Sequence, residues 1–207
     1  QQLIEDKFAA IPGIENAGTV DPLPLNGNIR ASSFMVSGAA PLPLGQHPGA
    51  GRLVVSPTYF QTMKIPLISG RFFNRADSKA SRAVVMINQA FARTFFPDRN
   101  PLAQQVLLDM GDGKVNPLDI VGVVGNSHHD NLNREVEPEF YLTYAQDPSR
   151  TLDIVLRLAT PHLSGLDATV KNAVHTVDKA LFVPTLAPMS NYLSNQVAQP
   201  SPDAVAE

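Results

Sequence analysis

The 207-residue chain contains no cysteine. This absence excludes disulfides and thiolate metal sites, but it leaves the compartment open, because many periplasmic proteins also lack cysteine. No window of about 18 apolar residues is present, so the sequence predicts no membrane span. A signal peptide is missing as well, and Gln1 to Ile4 resemble the middle of a helix. We therefore expect the chain to be part of a larger protein.

Basic charge is also scarce along the chain. The formal net charge is -3 and the isoelectric point is near 5.9, with no long run of Lys or Arg. A nucleic-acid surface is usually basic, and a membrane-binding patch needs clustered cations. The composition therefore argues against a nucleic-acid partner and against a polybasic membrane patch.

The residues that are abundant indicate a packed protein made of short elements. Hydrophobic residues account for 43% of the chain and charged residues for 17%, which is typical of a globular core. The chain has 18 prolines, whereas average usage would give about 10. So many helix breakers favour an α+β fold over a helical bundle.

Hydrophobic periodicity predicts where helices and strands lie. Helices are predicted over 3–11, shortly after Ser56-Pro57, after Asn88, over 165–178 and over about 189–197. Strands are predicted over 15–20, 31–38, 51–56, 84–87, 138–146, 151–159 and 181–187, with a hairpin over 105–126 whose tip is 111–113.

Two helix starts have recognisable caps. Asn88 is placed to cap a helix that carries Phe91 and Phe95 four residues apart on its buried face. Ser164 and Asp167 fit the S-x-x-D capping box of the helix over 165–178.

The stretch "VGVVGNSHHDN" (121–131) holds the residue types of reactive sites. Gly125 to His129 begin like a nucleophile elbow, but that motif needs a helix after the serine, and no apolar stripe follows. His128, His129 and Asp130 are suitable metal ligands, yet adjacent residues of an extended chain point to opposite sides. We interpret the stretch as the polar loop that ends a buried strand.

The remaining polar clusters also lack a catalytic pattern. "GDGK" (111–114) does not match a phosphate-binding loop, and His47, His162 and His175 lie apart from His128 and His129. The helically spaced Phe91, Phe95 and Phe96 are typical of a core. The carboxylates without a defensible pairing are Asp77, Asp98, Asp119, Glu135, Glu137 and Glu139. The residues therefore predict no catalytic, cofactor-binding or metal-binding site, and no enzyme.

Five segments in order resemble a known family. They are "IPGIENAGTVDPLPLNG" (11–27), "VSPTYFQTMKIPLISGRFF" (55–73), "AVVMINQAFARTFFPDRNPLAQQV" (83–106), "DIVGVVGNSHHDNLNREVEPEFYLTYAQ" (119–146) and "LDIVLRLA" (152–159). Together they resemble the MacB-type periplasmic core domain of FtsX-like ABC transporter permeases, over roughly residues 1–198. The resemblance is nearest to the orphan permeases common in acidobacteria, whose ATPase is a separate chain.

The resemblance implies an α+β fold with two subdomains. Residues 1–55 and 149–198 would form a discontinuous porter-like α/β sandwich, residues 56–148 an inserted Sabre-like subdomain of mixed α+β structure, and residues 199–207 a flexible tail. We expect each subdomain to have its own sheet. The ends near Gln1 and Gln199 should lie on the same side of the porter-like part.

The resemblance also implies a function and partners. The domain would lie on the periplasmic face of the bacterial inner membrane and transmit movement between the flanking membrane helices and a periplasmic partner or substrate. Its partners would be those helices, a separate cytoplasmic ATPase, a second permease copy and a periplasmic adaptor. No cofactor is implied.

Two other classes of function remain as alternatives. An extracytoplasmic ligand-sensing domain would have one deep, mostly apolar pocket with a few polar groups. A metal-dependent hydrolase would be built around His128 and His129, and metal analysis of the purified protein would separate it from the other two.

Overall fold

A computed structural model of the chain describes residues 2–24, 29–39, 43, 46–109, 114–127, 135–149, 151–160 and 163–192. The elements follow the order α1 (Gln2–Ala9), β1 (Ile14–Asp21), β2 (Arg30–Ser33), β3 (Met35–Val36), β4 (Gly49–Val55), α2 (Tyr59–Met63), β5 (Leu67–Gly70), β6 (Val84–Asn88), α3 (Gln89–Phe95), a 3-10 turn (Pro101–Ala103), β7 (Gln105–Asp109), β8 (Val115–Val124), β9 (Glu139–Thr143), β10 (Asp153–Leu158) and α4 (Leu166–Val177). None of these helices has the length and apolar character needed to cross a bilayer.

The described strands form one mixed sheet in the order β10-β1-β4-β9-β6-β8-β7-β3. β2 pairs with β4, and β5 pairs with β8 beside β7. The predicted α+β class is confirmed, and the predicted hairpin corresponds to the antiparallel pair β7 and β8.

The sheet is continuous across the boundary predicted at residue 56. β4 belongs to the predicted porter-like part, yet it pairs in parallel with β9 of the predicted insert, from Gly51↔Glu139 to Val55↔Thr143. The expectation of separate sheets is therefore not met, and a single sheet through residues 56–148 by itself counts towards the ligand-sensing alternative. The assignment of residues to two subdomains stays a prediction, and its tail, 199–207, lies outside the described residues.

The described residues form three hydrophobic cores on the faces of this sheet. Core 1 packs α3 against the central strands, and core 2 packs α2 against the opposite face. Core 3 is built by α1, α4, β1 and β10, with Ile4, Phe8, Val170 and Val174 buried in it. Core 3 is thus made entirely from the two sequence segments predicted to be porter-like.

Helix caps explain several element boundaries. The Asn88 side chain accepts a hydrogen bond from the Phe91 N–H at 2.8 Å, as predicted. The predicted capping box of α4 is wrong. Within residues 163–192, the N-cap is Gly165 at φ 73° with no side-chain cap bond, and Asp167 instead accepts from the backbone N–H of Leu186.

The strand predicted over 181–187 is also wrong. Residues 181–188 are described as neither helix nor strand, although Val183 and Leu186 pack against core 3. Residues 189–192 are helical, as predicted for the start of 189–197. The expected position of the chain ends concerns Gln1 and Gln199, which lie outside the described residues.

Phe91 is the centre of core 1. It is 0% exposed, and its ring centroid lies 4.8 Å from those of Phe34 and Phe95 and 6.4 Å from that of Phe140. Removing a buried Phe side chain costs about 3–5 kcal/mol, a large share of the roughly 5–15 kcal/mol that stabilises a domain.

We therefore expect Phe91→Ala to lower the melting temperature strongly in a calorimetric scan. Phe182→Ala is the matched control, since Phe182 is 89% exposed and its removal should change the melting temperature little. Equal melting temperatures for Phe91→Ala and the wild type would contradict this packing.

Candidate functional site

The loop after β8 supports the neighbouring helix. The Gly125 N–H donates to the Pro66 carbonyl at 2.8 Å, and the Asn126 side-chain oxygen accepts from the Ala90 N–H, in the first turn of α3, at 2.9 Å. The described part of the loop thus has a structural role. His128, His129 and Asp130 lie outside the described residues, so the metal interpretation of this loop stays a hypothesis.

A buried carboxylate and two tyrosines lie under this loop. The Tyr141 hydroxyl donates to the Glu139 carboxylate at 2.6 Å, and Tyr59 is fully buried nearby. Burial, and after it the charge of Glu139, raises the pKa values of Tyr59 and Tyr141. Both phenols therefore keep their protons at neutral pH and are unsuited to act as bases.

The buried Asp77 is committed to an ion pair. Its two carboxylate oxygens accept from the Arg71 guanidinium at 2.7 Å each, and the Asn74 N–H donates to it at 2.9 Å. Burial alone would raise the pKa of Asp77, but the bonds from Arg71 and Asn74 outweigh it and lower that pKa. Among the described residues, no three His, Asp or Glu side chains are grouped so that they could hold a metal ion.

A surface groove of about 510 Å³ lies where β5 and β7 approach the same edge of β8. Arg71 and Asp119 line it, and both are already bonded, Arg71 to Asp77 and Asp119 to the Gln105 amide at 2.7 Å. The other lining residues are Ser37, Leu102, Ala103, Gln104, Gln105, Ile120 and Val121. This groove, with both polar and apolar lining residues, differs from the mostly apolar pocket expected of a ligand sensor.

A buried polar network joins α1 to β1 and to the start of α2. Glu5 of α1 is 9% exposed, and its carboxylate accepts from the Thr19 hydroxyl at 3.1 Å and from the Thr58 hydroxyl at 3.4 Å. The Thr58 and Ser56 hydroxyls are 3.0 Å apart, and Ser56 Oγ accepts from the Thr19 N–H at 3.0 Å. We call Glu5, Thr19, Ser56 and Thr58 the polar junction.

Close backbone packing beside the polar junction holds α2 against β1. A Cβ added at Gly18 would lie 2.8 Å from the Tyr59 Cα and 3.1 Å from the Thr62 hydroxyl, so a side chain at this position would force α2 away. On the next strand, Arg157 Nε donates to the Thr62 carbonyl at 2.6 Å. The short helix α2 is therefore fastened to both β1 and β10.

The polar junction was not predicted from the sequence. Glu5 adjoins the apolar stripe of Ile4 and Phe8, but a helical carboxylate beside such a stripe is typical of a solvated flank. Its partners, Thr19 and Thr58, follow 14 and 53 positions later. Periodicity assigns faces to elements and says nothing about which distant hydroxyl a carboxylate meets.

Comparisons with known proteins identify the type of fold. The family model of the MacB-like periplasmic core domain matches residues 8–177. The solved periplasmic region of MacB from Actinobacillus actinomycetemcomitans is similar with a TM-score of 0.59 at 13% identity, covering 96% of this chain and 82% of that one. The extracellular domain of the noncanonic ABC-type transporter YknZ from Gram-positive bacteria gives 0.54 at 12% identity, with 86% and 82% covered. No curated protein sequence matches significantly.

The polar junction should appear as an energetic coupling between Glu5 and Thr19. Thr19→Val leaves a buried carboxylate short of a donor and should cost about 1–3 kcal/mol in urea unfolding. Replacing both partners by apolar groups of similar shape is far less costly, so in the Glu5→Met background the same change should cost less, with a coupling of about 0.5–3 kcal/mol.

Thr143→Val is the matched control for this cycle. Thr143 is 1% exposed on β9, so the same substitution is made in a buried strand that contributes no residue to the polar junction. Its effect should add to that of Glu5→Met. If the changes in unfolding free energy for Thr19→Val and Glu5→Met were also additive, a coupled junction would be contradicted.

Proposed function

The chain belongs to the MacB-like periplasmic core domain family, and we propose that it couples movement of the membrane helices of an ABC transporter permease to a periplasmic partner or substrate. The proposal includes no catalytic residue, cofactor or metal. The family is a transporter periplasmic domain and is not known as a class of enzyme.

The attachment of α1 carries this proposal. In the proposed arrangement, α1 continues from a membrane helix that precedes it. Its buried Glu5 is hydrogen-bonded to β1 and to the start of α2, while Ile4 and Phe8 are buried in core 3. Asp6 lies 3.5 Å from Arg75, in the loop after β5. A displacement of α1 would therefore carry β1 and the start of α2 with it.

The sheet alone would transmit such a displacement weakly. β1 and β4 share two described register positions, Val20↔Val55 and Asp21↔Val54. This short ladder joins core 3 and its strands to the rest of the sheet. The polar junction and α2 bridge the same boundary a second time, which supports a role for them in stiffening it.

The two-subdomain division is part of the proposal. Residues 1–55 and 149–198 would act as the porter-like unit and 56–148 as the Sabre-like insert, with β4 of the first paired to β9 of the second. The proposed partners are the flanking membrane helices, a separate cytoplasmic ATPase, a second permease copy and a periplasmic adaptor. The proposed location is the periplasmic face of the inner membrane.

The mixed lining of the groove favours coupling over ligand sensing. Its charged residues are bonded within the protein, to Asp77 and to Gln105. A thermal-shift screen against small molecules would detect a sensor as a ligand-dependent rise in melting temperature.

The proposed location can be tested by labelling a cysteine introduced into this domain, which has none of its own, with the unsubstituted permease as the background. Val115→Cys in the intact permease should react with a membrane-impermeant maleimide added to cells whose outer membrane has been made permeable, since Val115 is 53% exposed. Phe8→Cys is the control for folding, because Phe8 is 0% exposed and should react slowly. Reaction of Val115→Cys only after cell lysis would contradict an extracytoplasmic location.

A further inference from the structure

Residues 181–186, which we call the strap, lie back along α4 after the chain has turned. One His175 ring nitrogen lies 3.1 Å from the Leu181 carbonyl oxygen, and the Leu186 N–H donates to Asp167 Oδ1 at 2.8 Å. Val183 and Leu186 pack against core 3, whereas Phe182 is 89% exposed. Apolar packing and two polar contacts thus hold the described strap, and the hydrogen bond at its far end depends on the Asp167 carboxylate.

That carboxylate has a second role available within α4. Asp167 is the third residue after Ser164, the spacing of a capping box in which Asp167 would accept from the Ser164 N–H and Ser164 would cap the first turn. The observed helix starts one residue later, because Gly165 is the N-cap in the left-handed region at φ 73°. Forming the box requires Gly165 to become helical, which a glycine can do at little cost.

We propose that the strap is a releasable latch controlled by the choice between these two starts of α4. When Gly165 is left-handed, the Asp167 carboxylate reaches across to Leu186 and holds the strap. When Gly165 is helical, Ser164 caps α4, Asp167 turns back to the Ser164 N–H, and the strap loses its end contact. This inference does not rest on the proposed transport function, because it concerns an equilibrium within the chain itself.

The structure offers a clean way to shift this equilibrium. A Cβ added at Gly165 would meet no atom within 4 Å, so Gly165→Ala introduces no clash and penalises the left-handed backbone alone. Gly38 is a matched control, since it has φ 78° and equally open surroundings in the turn after β3.

Native-state proteolysis with chymotrypsin measures the fraction of molecules in which the strap has left α4. Phe182 is an exposed cleavage site, and cutting after it requires the strap to leave α4. The left-handed penalty predicts that Gly165→Ala raises the rate of cutting after Phe182 by about five- to thirty-fold, with the cut assigned by mass. Gly38→Ala should leave that rate near the wild-type value. Equal rates for the two variants would overturn the proposal.

Two further variants distinguish the latch from general loosening. Ser164→Ala added to Gly165→Ala removes the competing cap and should lower the cutting rate by about threefold or more. Asp167→Ala removes the end contact outright and should raise cutting after Phe182 with α4 still present in circular dichroism. The latch would be contradicted if Ser164→Ala did not slow the cutting of Gly165→Ala, or if Asp167→Ala did not speed up cutting after Phe182.

Discussion

The buried Glu5 carboxylate is the constraint on which the arrangement of α1, β1 and α2 depends. A carboxylate removed from water needs donors, and Thr19 and Thr58 supply them from two other elements. α1 therefore cannot shift without breaking these bonds or moving its partners. Gly18 completes the constraint, because its missing side chain lets the α2 backbone rest directly on β1.

The polar junction matters because it spans the short ladder between β1 and β4. Core 3 contains residues from the two ends of the described chain, whereas cores 1 and 2 are built mainly from the strands between them. β1 and β4 join these parts through a short ladder. Polar bonds at this position add directional contacts to a boundary where hydrophobic packing alone would permit sliding.

Local patterns predicted the elements better than the connections between them. The Asn88 cap and the contact between Phe91 and Phe95 depend on neighbouring residues, and both could be predicted from spacing. The capping box predicted at Ser164 is wrong because the Asp167 side chain bonds to Leu186, 19 positions away. The prediction of separate sheets is wrong because the parallel pairing of β4 with β9 also joins residues far apart in the sequence. The polar junction was missed for the same reason.

The most direct test of coupling is a distance measured between two spin labels in the full permease with its ATPase, one at Val115→Cys and one in the membrane-spanning part. If the polar junction transmits movement, the distance should differ between ATP and ADP states. Thr19→Val should shrink that difference, and Thr143→Val should preserve it. A distance independent of nucleotide, or an undiminished change in Thr19→Val, would contradict the account.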